Sequence, residues 1–214
     1  NPDIVYVAAS GHEWTYNKER GVYKTTDGGK TWQKVLYLNE KTGAIDLVMD
    51  PTNPDILYAS MWNRIRLRWS DPTPGEGDGL YKTTDGGRTW KPINKGLPED
   101  KYVGRIGIDI ARSNPNVLYA YVDNHAPGRE PKPGERDSYG RPITKRRVTG
   151  AQVYRSNDQG EAWHKVSPDS ELLATFGGTY GWVFGQIRVD PNDENTIYIM
   201  GLRLARSRDG GKTF

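Results

Sequence analysis

Glu13 and Asp123 are the residues of this chain best placed for acid–base chemistry on a glycan. Each carboxylate closely follows a short apolar segment, 4–9 before Glu13 and 117–122 before Asp123. Both segments are rich in Val, Ile, Leu and Tyr, as is typical of a β-strand. Hydrolysis of a glycosidic bond needs two carboxyl groups facing each other across a cleft, roughly 5 to 9.5 Å apart. We therefore expect this pair to carry the reaction if the chain is a hydrolase.

Aromatic and polar side chains surround these two carboxylates in the sequence. Aromatic rings stack on the apolar faces of sugars or peptides, while polar groups fix the orientation of the ligand. The alternative is that the aromatic residues only anchor long loops to the scaffold. The predicted ligand-binding residues are His12, Trp14, Trp62, Asn63, Arg64, Asn124, His125, Tyr180 and Trp182.

The elements that position these residues are marked by a motif that occurs four times, [Ser/Thr]-x-Asp-x-Gly-x-[Thr/Ala]-[Trp/Phe]. We expect the Asp to accept backbone hydrogen bonds across a turn, the Gly to adopt positive φ, and the aromatic ring to pack between sheets. Four equivalent turns around a ring cannot converge on one substrate, so a structural role is favoured over catalysis. The motif residues are Asp27 and Trp32, Asp85 and Trp90, Asp158 and Trp163, and Asp209 and Phe214.

A second repeated segment, Asp-Pro-x-Asn-Pro in its fullest form at 50–54, joins two strands upstream of each motif. Four antiparallel strands in each repeat of roughly 40 to 80 residues predict an all-β fold, the β-propeller. The chain supplies about three and a half four-stranded blades, and we interpret it as a single partial domain, 1–214, of a larger propeller. The expected blades are 1–35 (its last three strands), 42–93, 102–166 and 182–214 (incomplete).

Spacing separates two rims of this predicted propeller. The anchor Asp or Ala and its tyrosine are always eight residues apart (50 to 58, 111 to 119, 190 to 198). The tyrosine and the next motif Asp are 21, 27, 39 and 11 residues apart. All the variation falls on the rim opposite the motifs. Loops on a rigid scaffold often carry function, so we expect the working surface on this variable rim.

Composition narrows the possibilities further. The net charge of +3, with both signs interspersed, does not favour nucleic-acid binding, and the absence of cysteine excludes disulfides and thiolate metal sites. No apolar run is long enough to span a membrane. Asp71, Glu76 and Asp78 could bind calcium, but a solvated acidic loop is favoured, so we predict no metal and no cofactor. The Pro- and Gly-rich insertion 129–147 is expected to be a solvated loop or an arm that orders on a partner.

The repeated motifs resemble the Asp-box (BNR) repeats of sialidases, xyloglucanases, sortilin-type receptors and photosystem assembly factors. The combination Gly-[Val/Leu]-Tyr-Lys-Thr-Thr-Asp-Gly-Gly-[Lys/Arg]-Thr-Trp is most similar to bacterial sortilin-like BNR-repeat proteins, which are often labelled glycosyl hydrolases. This resemblance implies a secreted, periplasmic or cell-surface protein. The Phe/Tyr-Arg-Ile-Pro segment of sialidases is missing, and the nearest string to the Asp-Ile-Gly-Gly of xyloglucanases, at 109–112, lacks both glycines.

The leading interpretation is a non-catalytic propeller that recognises a protein, peptide or glycan on the variable rim. Its remaining partners would be further blades of the same chain. The first alternative is a polysaccharide-active glycoside hydrolase that uses Glu13 and Asp123. The second is a structural assembly platform.

Overall fold

The computed structural model describes residues 1–66, 73–136, 140–170, 172–173, 176, 184–201 and 203–214. Its strands form four antiparallel sheets, two of four strands and two of three. In each sheet the strands lie in the order in which they occur along the chain. The prediction of an all-β propeller built from four-stranded antiparallel blades is confirmed.

The strands of the four sheets have the following bounds. The first sheet contains β1 Val5–Ala9, β2 Gly21–Thr25 and β3 Gln33–Leu36, and the second contains β4 Thr42–Met49, β5 Leu57–Asn63, β6 Gly79–Thr83 and β7 Lys91–Pro92. A short 3-10 turn, Asp100–Tyr102, leads into the third sheet, which contains β8 Val103–Ile110, β9 Leu118–Pro127, β10 Val148–Ser156 and β11 His164–Lys165. The fourth sheet contains β12 Gln186–Asp190, β13 Asp193–Met200 and β14 Leu204–Ser207.

The Asp boxes are turns held by one carboxylate. Asp27 accepts hydrogen bonds from Thr31 N (2.9 Å), Thr31 Oγ1 (2.6 Å) and Thr25 Oγ1 (2.7 Å). These bonds, with that of the Thr31 hydroxyl foremost, lower the pKa of Asp27 to about 2. The same bonds recur around Asp85 and Asp209.

Two of the positions at which the third box departs from the others change its backbone or its hydrogen bonds. Ala162 replaces the threonine, so Asp158 accepts from the Ala162 N–H (3.0 Å) and from Ser156 Oγ (2.6 Å) but has no threonine hydroxyl at that position. Gln159 occupies a left-handed position (φ 58°) that glycine fills in the other three boxes. Each box is tied to the preceding turn of its own sheet by one N–H···O bond, here from Gln159 N to Asn116 O at 3.0 Å.

Hydrophobic layers fill the spaces between consecutive sheets. Tyr58 and Leu80 of the second sheet meet Ile106 and Ile108 of the third, and the box tryptophan Trp163 is 2% exposed in this layer. Trp90 packs in the layer between the first two sheets, and Phe214 in the layer between the last two. Burial of these apolar side chains is the main force that joins the blades.

Trp32 differs from the expectation that every box aromatic packs between sheets, because 44% of its surface is exposed. The other box aromatics pack against the sheet that precedes their own, and the described residues form no sheet before the first. Its indole N–H instead donates to Gly29 O at 3.1 Å.

In the first three sheets, a cation on the strand that leads into the Asp box reaches forward to the next blade. Lys24 Nζ donates to Gly86 O (2.8 Å), and Lys82 Nζ donates to Gln159 O (2.9 Å). Arg155 occupies the equivalent place and donates to Asn195 Oδ1 and Glu194 Oε1, both at 2.8 Å. Each cation also lies 5.1 to 5.6 Å from the ring centre of a tyrosine of its own sheet. We call these contacts the forward latches.

Carboxylates link the inner strands in the same direction. Asp46 Oδ2 on β4 accepts from Ile108 N on β8 (3.2 Å), and Asp109 Oδ2 on β8 accepts from Val189 N on β12 (2.8 Å). Burial raises the pKa of Asp109, although both of its backbone donors oppose the shift. The carboxylate of the Asp109-Ile110-Ala111-Arg112 string is therefore engaged between two blades.

Candidate functional site

The variable rim begins with a loop that a buried arginine organises. Arg20 is fully buried and donates to the backbone oxygens of Ser10 (2.6 Å), His12 (2.8 Å) and Thr15 (3.2 Å). Sequence reasoning missed Arg20, because an arginine next to a glycine turn carries no sign of burial. Its side chain fixes the backbone on both sides of Glu13.

Glu13 lies between the first and second connections of the rim. Its Oε1 is 3.3 Å from Arg64 Nη2 and 3.6 Å from Arg66 Nη1, and its backbone oxygen accepts from Arg66 N at 2.9 Å. Arg66 also lies 5.5 Å from the ring centre of Trp14, which is 57% exposed. We call Glu13, Trp14, Arg64 and Arg66 the Glu13 cluster. It combines an exposed aromatic surface with charged hydrogen-bonding groups.

The second predicted carboxylate lies in a different group. Asp123 is 8% exposed, and its Oδ2 is 3.1 Å from His125 Nε2. Both residues lie on one face of β9, against β8, where a Cβ on Gly104 would come within 2.8 Å of His125 Nε2. Asn124 alternates to the opposite face and donates to Gln152 Oε1 at 2.8 Å. His125 and Asp123 therefore act as a pair, and Asn124 does not join them.

The structure does not bring Glu13 and Asp123 into one set of contacts. Glu13 joins loops of the first two sheets, whereas Asp123 shares its face of β9 with Tyr119 and Tyr121, which pack toward the fourth sheet. His12 lies beside Glu13 in sequence, but its ring contacts Thr15 Oγ1 at 3.0 Å within its own loop. The two groups share the variable rim as separate patches.

Trp62 is buried and differs from its expected role as a stacking surface. It is 1% exposed and lies on the same face of β5 as Tyr58 and Ser60. The third sheet covers that face, as the 2.7 Å bond from Ser60 Oγ to Ile106 O shows. Successive side chains of β5 point to opposite faces of the sheet, and both faces are covered, so Trp62 is buried. Tyr180 and Trp182 lie outside the described residues.

Asn63 and Asp78 form the base of the second connection. The Asn63 N–H donates to Asp78 Oδ1, and Gly75 N donates to Oδ2 at 2.8 Å. Asp78 is 4% exposed, so the expectation of a solvated acidic loop is wrong for this residue. Burial raises the pKa of Asp78 to about 8, against the opposing effect of its two backbone donors.

A cavity of about 630 Å³ opens beside this turn. Asp78, Tyr81 and Pro92 line it together with Asn94 and Asp100 from the connection to the third sheet. The lining combines one aromatic ring and two prolines with several polar groups. Within the described ranges no group of three or more His, Cys, Asp or Glu residues is arranged to hold a metal ion.

Comparison with known proteins supports the repeat and the fold. The BNR/Asp-box repeat family matches residues 23–34, which include most of β2 and the first box. A xyloglucanase of a Paenibacillus species is 25% identical over 276 aligned positions, covering 100% of this chain and 25% of that enzyme. A xyloglucanase of Acetivibrio thermocellus is 25% identical over 201 positions, covering 84% of this chain and 21% of that enzyme. The chain therefore spans about a quarter of the length of these relatives.

Solved structures agree on the architecture. The GH74 enzyme of Niastella koreensis aligns with a TM-score of 0.60 at 19% identity, over 100% of this chain and 27% of that enzyme. Together, the boxes, the sheets and these matches show a β-propeller that carries BNR/Asp-box repeats and is similar to glycoside hydrolases along its full length. Its relatives over the whole chain include xyloglucanases.

The leading interpretation of a non-catalytic interaction propeller is thus wrong in favouring binding over hydrolysis. The relatives that cover this chain are named as enzymes that act on xyloglucan. The lack of an Asp-Ile-Gly-Gly string at 109–112 does not exclude this similarity, because a short motif can differ while the pattern of strands and boxes is retained. No helix long and apolar enough to cross a lipid bilayer occurs in the part of the chain that the structure describes.

Proposed function

We propose that this chain is part of a glycoside hydrolase-like propeller that acts on a xyloglucan-type polysaccharide through the variable rim. The observation that carries the proposal is the similarity to xyloglucanases along the full chain. The exposed Trp14 ring and the charged groups beside it support the proposal, because sugar rings stack on aromatic faces and hydrogen-bond at their edges.

Glu13 is the proposed carboxylate for substrate contact. Its side chain is 36% exposed and held by two guanidinium groups, so it is both reachable and oriented. Asp123, paired with His125 in the other patch of the rim, is proposed to contact the same polymer there and not to share one bond-cleaving site with Glu13. A polysaccharide cannot enter a cell intact, so this function also implies a protein that works outside the cytoplasm.

The test measures reducing ends released from xyloglucan by the protein that carries this chain. Glu13→Gln and Asp123→Asn each remove one carboxylate with little change in volume. Glu161→Gln is the matched control, since Glu161 is 71% exposed on the Asp-box rim. We expect loss of at least about 100-fold in kcat for Glu13→Gln, in the range of general acid–base effects, with the control unchanged. Full activity in both rim variants would contradict both assignments.

Binding is measured separately from turnover. Trp14→Ala should weaken retention on xyloglucan by roughly tenfold, because stacking on one ring contributes about 1 kcal/mol or more. Unchanged retention would show that the Glu13 cluster does not contribute to binding of the glycan.

A further inference from the structure

The insertion between β9 and β10 carries the positive charge of the whole chain. Residues 128–147, here called the arm, contain seven Lys and Arg residues and three Asp and Glu residues, a net charge of +4. The complete chain has a net charge of +3, so the remaining residues together have a net charge of −1. This separation is hidden when the two signs are counted over the full sequence.

The arm is braced from within. Gly128 N donates to Arg147 O (2.8 Å) at its base, and Ile143 N donates to Glu135 O (2.9 Å) farther out. Arg129 forms a two-pronged pair with Glu135, at 2.6 and 2.8 Å, which holds the pKa of Glu135 at about 2. These bonds, with one isolated bridge between Arg136 and Pro142, tie together the described parts of the arm, most of whose residues are exposed.

Internal pairing uses up the glutamates and leaves cations exposed. Arg146 pairs with Glu130, as Arg129 does with Glu135, so both described acidic groups of the arm are neutralised. Lys132, Lys145 and Arg147 are exposed and form no ion pair with any residue in the described ranges. A Cβ on Gly134 would meet no atom within 4 Å, so the space around this turn is open.

We propose that the arm binds a polysaccharide bearing carboxylate groups and holds it beside the glycan surface of the variable rim. Lysine and arginine donate strong, charge-assisted hydrogen bonds to carboxylates. The arm continues the two strands that carry Asp123 and Gln152, so a polymer held on it lies next to the rim. A polysaccharide is chosen over other polyanions because the adjoining surface is itself proposed to take a glycan. The inference therefore rests on the proposed function for the identity of its ligand.

The experiment compares retention of the protein by polygalacturonate, by neutral xyloglucan and by duplex DNA in affinity electrophoresis. The test variant is Lys132→Glu with Lys145→Glu. The matched control is Lys30→Glu with Lys212→Glu, which makes the same charge change at two exposed positions of the Asp-box rim. All variants are checked by thermal unfolding.

We expect the arm variant to lose roughly tenfold in retention on polygalacturonate, while the control stays within about twofold. Wild-type retention should fall between about 20 and about 300 mM salt, because exposed charges are screened. Retention on neutral xyloglucan should be unchanged in the arm variant, which separates this inference from the proposed function. Equal loss in the control, or equally tight retention by DNA at the same salt, would overturn the proposal.

Discussion

The two rims of this propeller use the same kinds of residue for opposite purposes. On the Asp-box rim, Asp85 accepts from one threonine amide and two threonine hydroxyls in a turn whose geometry recurs along the chain. On the variable rim, Asp78 and Glu13 each make contacts that occur once. Repetition thus marks the contacts that build the blades, and single occurrence marks the contacts that distinguish this protein from others of the same fold.

The largest expected difference between the rims is in the free energy of unfolding, and it appears when one tryptophan on each rim is replaced by alanine. Trp163→Ala removes a ring that is 2% exposed and a 2.7 Å bond from its Nε1 to Ile93 O, and should lower the free energy of unfolding by about 3–5 kcal/mol. Trp14→Ala, at 57% exposure, should change it by less than about 1 kcal/mol. Urea unfolding of both variants measures the contrast, and similar losses would remove the distinction between the rims.

Substitution of Arg20 tests whether the loop around Glu13 depends on the hydrogen bonds that Arg20 donates to its backbone. Arg20→Met should lower the free energy of unfolding by about 2–3 kcal/mol, because three backbone oxygens lose a buried donor. The loop around Glu13 should also be cut faster by proteases. Arg64→Met is the control, since its partner Glu13 is partly exposed, and it should cost less than about 1 kcal/mol. An Arg20 variant as stable as the control would show that packing alone holds the loop.

The stability of a turn on each rim should also depend on pH in opposite directions. The native pKa of Asp78, about 8, exceeds the unfolded value of 3.8, so its turn should weaken as pH rises from about 4 to 8. The pKa of Asp27 is lowered to about 2, so its box is stabilised above pH 4 and loses that stabilisation as pH falls through 2.

Hydrogen-exchange protection of individual amides reports this difference. Between pH 5 and 8 we expect protection factors at Asn63 and Gly75 to fall by about tenfold or more, one pKa unit being about 1.4 kcal/mol. The Thr31 amide, which donates to Asp27 at 2.9 Å, should keep a constant protection factor. Rising protection at Gly75 over the same range would contradict the raised pKa of Asp78.

The smallest effect should come from making the third box resemble the others. Ala162→Thr supplies the hydroxyl that donates to the carboxylate in the first, second and fourth boxes. We expect a gain of about 0.5 kcal/mol in the free energy of unfolding, limited by solvent exposure of the turn. Ala162→Ser and Ala162→Val separate the hydroxyl from the added volume, and equal gains for Ser and Val would contradict a hydrogen-bond origin.

Local pattern predicted the fold well, because strand periodicity and turn chemistry are short-range properties. The strands around Tyr58 and Tyr119 and the turns around the box aspartates follow directly from the repeated residues. The site was predicted less well, because its geometry depends on how sheets face one another. The third sheet buries Trp62, and the loop that follows β1 buries Arg20. Neither outcome can be read from the spacing of neighbouring residues. The roles of Glu13 and Asp123 remain predictions.

The forward latches have a consequence for how such a protein can change over generations. The acceptors of Lys24 and Lys82 are main-chain oxygens, which every amino acid provides. A duplicated or transplanted blade would therefore present a compatible acceptor to its neighbour without any matching mutation. Gene rearrangement could therefore add or exchange blades, because each inserted blade still offers a main-chain oxygen to the lysine of the blade before it. The residues of the opposite rim take no part in this contact and are free to diversify.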